Sequence, residues 1–169
     1  MVALEDAGRL SRFLRAAGAL HLGRNDEREM TTLKLAEFDG SGILAIALSD
    51  ILHVLRGQGE AIQWSLLWFQ ATGNHDVAVP EAVVSTRTGK VLSWKDLLAL
   101  ANRVEGIEDV VLVGTEPGSA LATLQDVESG HYNAEVLIEC VDSSYWLVSS
   151  ANDIIIKNFR DRFAYAQEA

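Results

Sequence analysis

The stretch Asn133-Ala134-Glu135-Val136-Leu137-Ile138-Glu139-Cys140-Val141-Asp142-Ser143-Ser144-Tyr145-Trp146-Leu147-Val148 decides the fold class of this chain. Val136, Ile138 and Cys140 alternate with Glu135, Leu137 and Glu139, the period of two expected of a half-buried strand with the first set facing the core. Asp142, Ser143 and Ser144 carry short oxygen-bearing side chains that bond their own backbone, so they turn the chain, and residues 145–148 resume as an aromatic and aliphatic strand. Ser150 and Asp153 have the spacing of a capping box, after which Ile155, Ile156, Phe159 and Phe163 recur at helical intervals. The pattern predicts a strand-turn-strand-helix closing the chain, with the helix docked on a sheet.

Working towards the amino terminus, residues 115–130 contain a Glu-Pro-Gly turn and only weak helical periodicity around 121–127, which reads as a long loop or excursion. Val110, Val111, Leu112 and Val113 run without alternation, as in a strand covered on both faces. Ser93 and Asp96 form a second capping-box spacing ahead of Trp94, Leu97, Leu98, Ala101 and Val104, a one-sided helix ending at Gly106. Pro80 suits the first position of a short helix through Arg87, although Val83, Val84 and Thr86 fit a strand equally well. Residues 61–72 alternate as a central strand with Ile62, Trp64, Leu66 and Trp68 on one side. Ser49 and Asp50 cap a short helix carrying Ile51, Leu52, Val54 and Leu55, stopped by Gly57 and Gly59. Leu33 and Leu35 alternate with Lys34 and Ala36, and Asp39-Gly40-Ser41-Gly42 followed by the apolar run 43–48 predicts a hairpin. Leu10, Phe13, Leu14 and Ala17 opposite Arg9, Arg12 and Arg15 predict a first helix packing by one side. The expectation is a single α+β domain over 1–169, with a mainly antiparallel or mixed sheet and amphipathic helices packed on it.

A chain of 169 residues, 49% of them apolar, is long enough for one well-packed core. Twenty-four acidic against 14 basic residues leave a formal charge of -10, which disfavours nucleic acid and anionic lipid and favours a cationic partner. The single cysteine, Cys140, shares the core side of its strand and reads as a small buried apolar residue. No apolar run approaches the roughly 20 residues of a membrane span, and Glu5, Asp6 and three early arginines do not make a secretory signal. These features predict a cytoplasmic protein with no membrane contact.

Chemistry is sparse. The loop Thr115-Glu116-Pro117-Gly118-Ser119 follows a strand, as phosphate loops do, but Glu116 repels anions, Pro117 lacks a donor and no Gly-Lys-Ser/Thr follows. His21, His53, His75 and His131 fall in separate segments without metal-ligand spacing, so neither a metal nor a cofactor is expected. Asp142-Ser143-Ser144 has no nucleophile elbow and no adjacent histidine. Glu135 and Glu139 are separated by about 13 Å along a strand at about 3.3 Å per residue, too far for a glycosidase pair, and read as a solvated face. Trp64, Trp68 and Trp94 lie on apolar stripes and belong to the core, whereas Trp146, beside Tyr145 and an acidic turn, suits an aromatic anchor rimmed by carboxylates.

The segments Leu92-Ser93-Trp94-Lys95-Asp96-Leu97-Leu98 and Val141-Asp142-Ser143-Ser144-Tyr145-Trp146 resemble phrases in small acidic bacterial proteins, some of immunity-protein type, over the second half of the chain. The resemblance implies a protein that binds and neutralises a toxin. The leading expectation is therefore a non-enzymatic factor binding a basic protein through Glu135, Glu139, Asp142, Tyr145 and Trp146. The rival is an enzyme or small-ligand binder with a cleft near His75, His131 and the loop after Gly114, and a homo-oligomer that buries apolar surface is a third reading.

Overall fold

The computed structural model describes residues 29–72, 89–104 and 106–169. The expected helix around Leu10–Ala17, the segment from Pro80 to Arg87, and His75 lie outside them. The described strands are β1 (Thr31–Leu35), β2 (Gln63–Thr72), β3 (Lys90–Leu92), β4 (Gly106–Thr115), β5 (Val136–Val141), β6 (Tyr145–Ser150) and β7 (Gln167–Glu168). They form one sheet in the order β3-β2-β4-β5-β6-β1-β7, every neighbouring pair antiparallel. Among the described residues four α-helices accompany it: α1 (Leu48–Val54), α2 (Trp94–Ala101), α3 (Leu124–Ser129) and α4 (Asp153–Arg162). The architecture is α+β.

Two apolar layers explain why the central strands read as continuous apolar runs. On the first face, Leu33, Leu35, Trp64, Leu66, Val110, Leu112, Ile138 and Val148 pack with Ile51 and Leu52 of α1, Leu97 of α2, and Ile155, Ile156 and Phe159 of α4. On the second face, Leu67, Val111, Val113 and Leu137 lie under Ala122 and Val127, with Leu124, Tyr132 and Ala134 alongside. The connection from β4 to β5 thus folds back across the sheet. Its weak periodicity resolves into α3, a six-residue helix with Thr123 at its amino-terminal cap and Gly130 left-handed at its end (φ 73°).

Several expectations are corrected. The turn expected at 39–42 forms, but the hairpin around it is reduced to one antiparallel bridge between Phe38 and Leu44, and β1 pairs with β6 and β7 and not with the run 43–48. Ile46 of that run and Leu48, which opens α1, are buried in the first-face core, so their apolarity reflects helix-side packing and not strand pairing. In β2, Trp64 and Leu66 face the first layer but Trp68 packs in the second, because the pairing with β4 shifts register between Leu66 and Trp68. An extra residue at such a bulge reverses the alternation beyond it. The cap of α4 is Asn152, whose side chain accepts from the Ile154 amide, while Ser150 Oγ turns back to donate to the Glu135 carbonyl at 2.5 Å. Ser93 does cap α2, accepting from the Asp96 amide.

The alternation in β5 also misled. All six residues of Val136–Val141 are buried, and Glu139, expected on a solvated face, is 5% exposed. An excursion that covers the second face makes both sides of a central strand interior, which a period-two pattern cannot disclose.

Candidate functional site

The carboxyl end of β2, the start of β4 and the β5–β6 turn meet at one end of the sheet, since Gln70 pairs with Asp109 and Val110 with Cys140. Three residues, Asp142 to Ser144, link the paired Val141 and Tyr145: Asp142 and Ser143 both have positive φ (52° and 51°), and the Ser144 amide donates to the Val141 carbonyl at 2.8 Å. That is the primed geometry favoured between twisted strands, adopted here without glycine. Hydrogen bonds to β4 hold it. The Asp142 amide donates to Asp109 Oδ1 at 2.9 Å, the Ser143 amide to the Glu108 carbonyl at 2.8 Å, and Ser143 Oγ to the Ile107 carbonyl at 3.1 Å.

Three carboxylates are gathered by this arrangement: Glu108, Asp109 and Asp142. Glu108 accepts from Gln70 Nε2. Burial pushes the Asp109 carboxyl above its ordinary range, the Asp142 amide pulls it back, and the charges of Asp142 and Glu108 add to the rise. Among the described residues no lysine or arginine pairs with these three; the ion pairs Lys157–Asp161 and Arg160–Glu168 involve only α4 and β7. Glu108 and Asp142 thus set two further acids beside the raised Asp109, and a cluster of acids of this kind favours a cation. Among the described residues, no group of three or more histidines, cysteines and acids could hold a metal ion.

The five residues expected to form a partner surface do not share one. Glu135 stands at the opposite end of β5, its amide bonded to the Gly114 carbonyl, whereas Asp142 is exposed beyond the other end. Glu139 is buried between them on the second face. Trp146 is 1% exposed on the first face, and its indole N–H donates to the Ile46 carbonyl at 2.9 Å. It is a core residue with a satisfied polar edge, so it cannot anchor a partner from the surface. Tyr145 is half-buried on the second face next to the turn, with Lys34 Nζ 4.2 Å from its ring centroid.

His131 is exposed in the turn after α3, in the same β4–β5 connection as residues 116–119. Thr72, the last described residue before His75, pairs with Gly106, at the end of β2 away from the Gln63–Thr115 pair. Cys140 is a free, buried thiol pushed up to about 12 by burial, hence a packing residue and not a nucleophile.

The feature that sequence reading missed is Glu139 itself as a buried acid. Its Oε1 accepts no hydrogen bond, and burial pushes its carboxyl up to about 7. Tyr132, on the connection that covers it, is pushed up to about 12 by burial and then by the Glu139 charge. The signal available was a charged residue inside the apolar run 136–141. Comparison of the chain with protein-family models, curated proteins and solved structures gave no match to any of them.

Proposed function

We propose that this chain is a non-catalytic, cytoplasmic protein-binding factor of immunity type that meets a basic partner with the sheet end carrying Glu108, Asp109 and Asp142. The observation behind the reading is the convergence of these three carboxylates, without a cation from the described residues, in a chain of formal charge -10. Tyr145, directly across from Val141, supplies an aromatic neighbour to the acidic turn. Complementary charge of this kind accelerates encounter and rejects acidic competitors more than it adds affinity. No helix among the described residues is long and apolar enough to cross a membrane, which fits a partner met in water.

The test is capture on immobilised protein from lysate of the source cells. The wild type should retain one basic protein stoichiometrically at about 0.05 M salt and release it at about 0.5 M, where screening reaches only a few ångströms. The E108Q/D142N double variant, which keeps both side-chain shapes, should bind at least about tenfold more weakly through loss of two interface charges. Equal retention by the double variant would reject this surface.

A further inference from the structure

Glu139 sits where a carboxyl is costly. Its register neighbours are Val111 on β4 and Leu147 on β6, and Leu137 of its own face is in the second apolar layer. Among the described residues the cover over that layer is Ala122, Leu124 and Val127 at and just before α3, then Tyr132 and Ala134. The helix in it has six residues, and a helix this short holds its place by packing more than by its own hydrogen bonds. The geometry points to a conformational device: the connection 119–134 is a cover over the second face, held shut while Glu139 carries its proton and released when the carboxylate forms.

Two states of one side chain are in balance. Protonated, Glu139 costs only the incomplete pairing of Oε1 and lies within an apolar layer. Ionised, it must reach water or a cation, and among the described residues the groups around it offer neither. Tyr132 on the cover interacts with it, and a negative Glu139 raises Tyr132 in turn. Asp109 lies on β4, Tyr145 on β6 and Glu135 just before β5, none of them a cation. His131 follows α3 but is exposed. Lys34, the nearest cation by register, is on β1 beyond β6, exposed and over the Tyr145 ring. Opening the cover hydrates the carboxylate without disturbing the first-face core. Because burial holds the closed-state carboxyl near pH 7, the change falls in a range cells use. The open form would uncover Leu67, Val111, Val113 and Leu137 as an apolar strip, an exposure that soluble monomers reserve for docking.

Nuclear magnetic resonance on the full chain tests this directly. The Glu139 side-chain carboxyl is followed from pH 5 to pH 9, together with exchange of the Val127, Gly130 and His131 amides, which are bonded within the cover to Thr123, Val127 and Asp126. After correction for intrinsic base catalysis, cover exchange in the wild type should rise on the order of tenfold between pH 6 and pH 8.5, as linkage to a carboxyl raised from 4.5 to about 7 requires. The Leu33 and Val148 amides on the first-face strands should not follow. The cover in Glu139→Gln, and independently in Glu139→Leu, should show no such rise. The device is overturned if the carboxyl does not titrate in this range, if it titrates without loosening the cover, if the variants loosen equally, or if both faces open together.

Discussion

Single residues carry this fold in proportion to how their polar atoms are met. Trp64 and Trp146 are both buried on the first face, and each indole N–H finds a backbone carbonyl, Gly59 for the first and Ile46 for the second. Trp146 therefore ties β6 to the segment leading into α1, a link spanning 100 positions of chain. Replacing Trp146 with phenylalanine should cost about 2–3 kcal/mol by chemical denaturation, because a void opens and the Ile46 carbonyl is left buried without a donor. A loss below about 0.5 kcal/mol would return Trp146 to the surface role first expected of it. Gly59 shows the same closeness of fit: a Cβ there would lie 2.3 Å from the Trp94 ring, which itself tilts against Trp64 at 5.8 Å between centroids. Nothing in the residue types alone separates Trp146 from an exposed anchor, since an aromatic after a polar turn suits both.

Among the elements, the β5–β6 hairpin is the one whose turn works against its own residues. Asp142 and Ser143 occupy the left-handed region, which asparagine and glycine enter more readily, and the Asp142 charge lies close enough to Asp109 to raise it. Asp142→Asn should stabilise the protein by about 0.5–1 kcal/mol at pH 7, since better left-handed tolerance and lost repulsion act in the same direction. The part of that gain that comes from lost repulsion should fade in acid while the left-handed tolerance remains; a destabilised Asn variant at pH 7 would contradict the turn described here. Elements with strong local signals were readable in advance. Ser93 with Asp96 announced α2, Leu33 and Leu35 announced β1, and the Ile155/Ile156/Phe159 spacing announced α4. The run 43–48 failed because a short apolar segment serves a strand and a buried connector equally well. Trp68 failed because a bulge shifts the face without changing the composition.

For the whole molecule, burying Glu139 ties global stability to pH. Its folded-state carboxyl is raised above the value of about 4.5 in the unfolded chain, so the neutral form favours folding. That contribution is complete below about pH 4.5 and is lost as pH rises to about 7, above which no more is lost. At about 1.4 kcal/mol per tenfold change in proton affinity, the difference in stability between wild type and Glu139→Gln should change by about 3 kcal/mol across this window, with the wild type losing ground at higher pH. Parallel stability profiles from pH 4 to pH 8 would show that Glu139 is solvated in the folded state. The sequence by itself determined the α+β class, the closing strand-turn-strand-helix, the buried thiol and the stripes of α2 and α4, because period, caps and turn chemistry act over a few residues and are written locally. Only the tertiary structure decided that the β4–β5 connection covers the second face, that Glu139 and Trp146 are interior, and that Glu108 and Asp109 join Asp142 at one end. Each of those depends on which distant segment lies opposite a strand, and burial and charge proximity follow from that pairing and not from the order of residues.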